Sequence, residues 1–78
     1  MRLKKFLKDI KIGTHVTVCE PLASGTGYKD YYTCVNEGTV YANTELAHRR
    51  ILCFYPRFYH YTQRETMIEI VIVLERED

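Results

Sequence analysis

The sequence predicts an α+β domain: an N-terminal helix packed on a small, strongly curled antiparallel sheet of four or five strands, an SH3-like partial barrel. Three observations carry that prediction. Met67 to Glu75 alternates with period two, with Ile68, Ile70, Ile72 and Leu74 on one face and Met67, Glu69, Val71, Val73 and Glu75 on the other. Leu3, Phe6, Leu7 and Ile10 recur at i, i+3, i+4, i+7, the spacing of one helical stripe. The remaining strand-like segments are joined by connections too short for parallel crossovers, which implies an antiparallel meander.

In chain order, the opening helix carries its apolar stripe among Arg2, Lys4, Lys5, Lys8 and Asp9, and Gly13 is placed to end it. About ten residues are marginal as an isolated helix, so docking on the sheet must hold it. His15 to Glu20 then alternates, with Val16 and Val18 on one side and His15, Thr17 and Cys19 on the other; Pro21 ends the strand because it cannot donate to a ladder. Pro21 to Asp30, with Ser24-Gly25-Thr26-Gly27, reads as an exposed loop. Tyr31 to Val35 and Thr39 to Ala42 are strand-like, and Asn36-Glu37-Gly38 between them is either a tight hairpin or a bend in one long strand, the bend being favoured. Thr44 to His48 reads as one helical turn with Asn43 and Thr44 as cap residues. Ile51 to Tyr55 is a strand stopped by Pro56, and Pro56 to Thr66 is a tyrosine-rich connection without an assigned element.

The last strand is aliphatic on its first face, so that face must be buried. Val71 and Val73 make the middle of the second face apolar too, and the helix stripe is its natural cover. The 78 residues form a single domain, 1–78, that buries roughly 60% of its unfolded surface. With 46% hydrophobic residues it needs neither a metal nor a disulfide to build a core. Eleven basic and ten acidic residues leave a net charge of +1, so no global field draws the chain to nucleic acid or an anionic membrane. No apolar run approaches the ~20 residues that span a bilayer. The odd, scattered Cys19, Cys34 and Cys53 lie in apolar stretches, as free thiols of a reduced cytoplasmic protein do.

The residues that carry chemistry are sparse. Successive cysteines stand 15 and 19 residues apart, without the close pairs of a zinc site, so neither metal nor cofactor is expected. Ser24-Gly25-Thr26-Gly27 lacks the lysine of a phosphate loop. His48-Arg49-Arg50 reads as a solvated helix end. The densest polar constellation is Tyr55-Pro56-Arg57-Phe58-Tyr59-His60-Tyr61 followed by Gln63 and Arg64. Tyrosine offers broad contact with a polar tip and arginine stacks or pairs bidentately, which suits recognition. Its bland counterpart is aromatic filler for a small core.

Leu3…Phe6-Leu7…Ile10, Gly38-Thr39-Val40, Glu45-Leu46, Ile51…Tyr55-Pro56 and Ile68-Glu69-Ile70 together make the chain resemble small uncharacterised proteins of prophages and other mobile elements of Gram-positive bacteria. The resemblance implies a cytoplasmic accessory protein and carries over no functional residue.

The expected function is a non-enzymatic binding module that contacts a protein partner through Tyr55, Arg57, Tyr59, His60, Tyr61 and Arg64. A homo-oligomer is a related expectation, because Val71 and Val73 need a cover. The alternatives are a metal-independent ribonuclease around His60, a thiol enzyme, or a single-stranded nucleic-acid binder using the same aromatics. No membrane partner is expected.

Overall fold

The computed structural model describes residues 1–36, 44–60 and 66–76, with Tyr32, Cys34, Thr44, Tyr59, His60, Thr66 and Met67 described by their backbone. Along them run α1 (Leu3–Asp9), β1 (His15–Pro21), β2 (Tyr28–Val35), α2 (Thr44–Ala47), β3 (Ile51–His60) and β4 (Thr66–Leu74). The strands form one four-stranded sheet in the order β2-β1-β4-β3. β1 pairs antiparallel with β2 and β3 antiparallel with β4, but the two central strands, β1 and β4, run parallel.

The sheet is therefore mixed and open, where an antiparallel and strongly curled one was expected; no ladder joins β2 to β3 among the described residues. Connection length constrains only strands consecutive in the chain. The touching consecutive pairs, β1–β2 and β3–β4, are indeed antiparallel hairpins. Asn36 to Arg50 carries the chain, through α2, from one sheet edge to the other. A connection of that length is long enough to return to the opposite end of the sheet, which turns the second hairpin so that its inner strand runs with β1.

One face holds the main core. Leu3, Phe6 and Leu7 of α1 and Leu46 of α2 pack on Val16, Val18, Ile72 and Leu74, with Ile10, Tyr31, Ile51 and Ile70 around them. Each large side chain so buried is worth about 1.5–3 kcal/mol, and this docking holds a helix of only seven residues. α1 thus covers the isoleucine face of β4, not the Val71–Val73 face expected for it. Those two valines form a second buried cluster with Cys19 on the opposite side of the sheet. Because they are buried within one chain, they do not call for a second copy. Ile68, expected in the core, is 55% exposed; a seven-residue helix is about 10 Å long and covers only part of a sheet face.

Asn36 locks α1 to the end of β2. Its side chain is fully buried and its Nδ2 amide donates to the carbonyls of Leu7 and Ile10, both at 3.1 Å, and of Lys11 at 3.4 Å. These include the carbonyls that a helix C-terminus leaves without partners. The Asn36 carbonyl in turn accepts from the Gly13 amide at 2.7 Å, where Gly13 turns with φ of 94°. The choice between hairpin and bend over Asn36-Glu37-Gly38 and the strand over Thr39 to Ala42 fall, apart from Asn36, outside the described residues.

The register between β1 and β2 slips between Val18 and Cys19, which pair with Tyr32 and Asp30, so Tyr31 is an extra residue in β2. This bulge brings Tyr31 against the core beneath the helices. No helix among the described residues is long and apolar enough to cross a membrane.

Candidate functional site

β3 does not stop at Pro56. It continues as an extended strand to His60, with Pro56 paired opposite Ile70. An edge strand tolerates proline because one side of its backbone needs no partner, and β3 is such an edge. The tyrosine-rich connection expected after Pro56 is thus strand as far as His60, and its residues 61–65 fall outside the described residues.

Strand geometry then divides the residues of β3 between two faces. Tyr55 and Arg57 stand opposite Val71 and Glu69, whereas Phe54, Pro56 and Phe58 stand opposite Ile72, Ile70 and Ile68. Alternate residues point to opposite faces, so Tyr55 and Arg57 share the side away from α1, and Phe54, Pro56 and Phe58 share the side on which α1 packs. Tyr59 and His60 extend β3 opposite Met67 and Thr66. Tyr61 and Arg64 lie outside the described residues. The predicted Tyr55 and Arg57 thus share one face, and Phe54, Pro56 and Phe58, which alternate with them, share the other.

On the side away from α1, a row of polar side chains runs across all four strands. The Arg57 guanidinium of β3 donates to Oε1 of Glu69 on β4, with which it forms an ion pair. Thr17 of β1 donates to Oε2 of Glu69 at 3.1 Å, and its hydroxyl lies 3.0 Å from that of Thr33 on β2. Glu69 is 1% exposed, and a buried carboxylate needs such partners. Both of its oxygens are thus engaged within the sheet. Sequence reasoning noted Glu69 only as the polar end of a strand face. Its signal was a lone carboxylate between Ile68 and Ile70, flanked by strand residues that want burial.

Next in the row direction, Cys19 and Tyr55 are both held protonated. Burial first, and then the Asp30 charge, pushes the Cys19 thiol up; its Sγ–H donates to the Ile72 carbonyl at 3.7 Å. Burial likewise pushes up the Tyr55 hydroxyl. Neither is an activated nucleophile. Among the described residues no three His, Cys, Asp or Glu side chains converge on a point that could hold a metal.

No family model, curated protein or solved structure matches this chain. The surface chemistry therefore bears the whole functional argument.

On the other side, Phe54 is 56% exposed and Phe58 65%, with Pro56 exposed between them. Ile68 of β4 extends this apolar strip beside Phe58. Phe54 touches Phe6 of α1 with ring centroids 4.7 Å apart and planes tilted by 49°, so the strip grows directly out of the core where the helix ends. A contiguous exposed apolar strip on a small domain marks an interaction site more often than scattered single residues do.

A second polar cluster closes the far end of the core. Arg49 donates to Glu20 Oε2 at 2.8 Å, to the Tyr31 hydroxyl at 3.0 Å and to the Glu75 carbonyl, while the Tyr31 hydroxyl donates to Glu20 Oε1 at 2.6 Å. The hydrogen bonds from Tyr31 and then Arg49 hold the Glu20 carboxyl below its usual range. All these groups are mutually satisfied, which is the signature of a structural cluster.

Proposed function

We propose that this protein is a small, non-enzymatic accessory module of the cytoplasm that docks on an apolar surface of a protein partner through β3, within the 55–64 region and just before it. The observation that carries the reading is the strip Phe54, Pro56 and Phe58 with Ile68, exposed at an edge strand. Phe58 and Ile68 are the natural anchors, since aromatic and aliphatic side chains that become buried on association supply most of the binding energy. Arg57 flanks the strip but is engaged by Glu69, so its role is to hold β3 against β4.

The ribonuclease alternative is less well supported. It requires an acid, a base and a phosphate clamp in one pocket, and the carboxylate and guanidinium that meet on this sheet occupy each other.

The test replaces both anchors, Phe58→Ser and Ile68→Ser. Both side chains are exposed, so the melting temperature should move by no more than about 8 °C. A protein recovered with the wild-type chain should bind the double variant at least about tenfold more weakly, measured with the purified pair by calorimetry. Equal affinity for the two chains would remove the proposal. Sedimentation of the wild type alone tells whether the partner is a second copy.

A further inference from the structure

The apolar strip on β3 and β4 has the dimensions of one helix. Four strands make a sheet roughly 19 Å wide, and a helix with its side chains is about 10 Å across. Two helices side by side therefore cover such a face. α1 is one of them, seated on β1 and β4 through Val16, Val18, Ile72 and Leu74. α2 is a single turn of four residues that gives the main core Leu46. The start of β3 is covered too, with Ile51 packed against the core. From Phe54 to Phe58 the same side of the sheet stays open, and so does Ile68 beside it.

The size and backbone of the strip decide what fits it. Phe54, Phe58 and Ile68 are each more than half exposed and Pro56 is exposed among them. Together they offer roughly 300–450 Å² of apolar surface, taking about 150–250 Å² for a large side chain. A stable contact between two folded copies needs about 800 Å² from each, so this strip alone does not hold a second copy. An extended segment would add along the free edge of β3. There Pro56 puts a residue without an N–H in the middle of the ladder it would need, and the apolar side chains stand on the face of the sheet, not along its edge.

A helix asks for neither the area nor the edge. The four residue steps from Phe54 to Phe58 span about 13 Å of strand, and apolar side chains at i, i+4 and i+7 of a helix span about 10 Å. Phe6 of α1, whose ring lies 4.7 Å from that of Phe54, forms a side wall for it. We infer that the strip takes an amphipathic helix of the partner protein, laid beside α1 so that the two together roof this face of the sheet. The inference rests on the docking reading of the strip and adds the conformation and side-chain spacing of what binds there.

A display library of random peptides of about 16 residues, roughly four helical turns, selected on the intact wild-type chain, tests it. Enriched peptides should carry apolar residues at i, i+4 and i+7 and gain helical circular dichroism on binding. Proline at a solvent-facing position in the middle of such a peptide should weaken it at least about tenfold. The double variant Phe58→Ser, Ile68→Ser should bind these peptides at least about tenfold more weakly, and Tyr28→Ser, exposed on the opposite edge strand, should bind them as wild type does. Enriched peptides that alternate with period two, or that stay extended when bound, would overturn the helix and leave the docking strip standing. Failure to enrich any peptide would also overturn it, while calorimetry with the partner protein judges the docking reading by itself. Peptides that bind the double variant as tightly as wild type would remove both. A wild-type dimer that the double variant loses would assign the strip to a second copy instead.

Discussion

Arg57 and Glu69 meet across the β3–β4 ladder as a half-exposed cation on a buried anion: the arginine side chain is 51% exposed and the glutamate side chain 2%. The asymmetry sets what each substitution costs. Arg57→Ala strands a carboxylate in the sheet, but water reaches the vacated position and Thr17 still donates. The loss should therefore be about 1–3 kcal/mol, below the ~3–5 kcal/mol for breaking a fully buried pair. Glu69→Gln keeps the shape and removes the charge, so Arg57→Ala should cost much less in a Glu69→Gln background. A double-mutant cycle in urea measures the difference; equal costs in both backgrounds would show that the two do not interact.

Asn36 should be irreplaceable by its closest relative. Its amide faces carbonyl oxygens of Leu7, Ile10 and Lys11. Asn36→Ala should lower stability by about 1–3 kcal/mol, since buried acceptors are left unpaired. Asn36→Asp should cost more, because a carboxylate presents oxygens to oxygens. The order of the two urea midpoints decides the point.

The Glu20 cluster makes part of the stability acid-sensitive. The folded-state pKa of Glu20 is depressed, first by the Tyr31 hydrogen bond and then by Arg49. Its contribution is therefore fully present above the ordinary carboxylate range and is lost as pH falls through the lowered folded value. Tyr31 works at the other end: burial, then the bond to Glu20, raises its pKa, so its contribution holds below the ordinary tyrosine range and is lost as pH rises through the raised value. Glu20→Gln should flatten the acid limb of stability below the ordinary carboxylate range. An acid limb of unchanged slope would mean that Glu20 is not the linked group.

The cysteines should separate by accessibility. Cys53 is exposed, whereas Cys19 is buried with a thiol pushed up by burial. In chains with one cysteine each, Cys53 should be alkylated in the native state at a rate near that of a free thiol, and Cys19 only as fast as the chain opens. Rapid native alkylation of Cys19 would contradict its placement between Val71 and Val73.

Much of the scaffold is legible in the residue pattern. The stripe Leu3, Phe6, Leu7, the alternation from His15, the single turn after Asn43 and the ribbon from Ile68 to Leu74 are all local periodicities, and the elements they predict are present. What the pattern hides is relational. Nothing local tells that β4 lies beside β1 rather than only beside β3, and the parallel pairing follows from a crossover whose path is set by packing. Pro56 was read as a stop because proline breaks central strands, but an edge strand is defined by its neighbours and so was invisible. The pleat keeps Tyr55 and Arg57 on one face, and the apolar strip of Phe54, Pro56 and Phe58 on the other escapes a reading that follows sequence proximity alone. The contact between the chain segments at Arg2 and Arg50 was hidden for a related reason, since only the fold sets them opposite each other.

The parallel embrace of β1 and β4 has a consequence for how the chain is made. Val16 pairs with Ile70 and Val18 with Ile72, so the middle of the sheet waits for its final strand to leave the ribosome. Until then the β1–β2 hairpin keeps a bare inner margin and α1 has half a floor. Such distant pairing slows folding and exposes unpaired margins to other chains. A premature stop before Thr66 therefore removes the keystone rather than a tail.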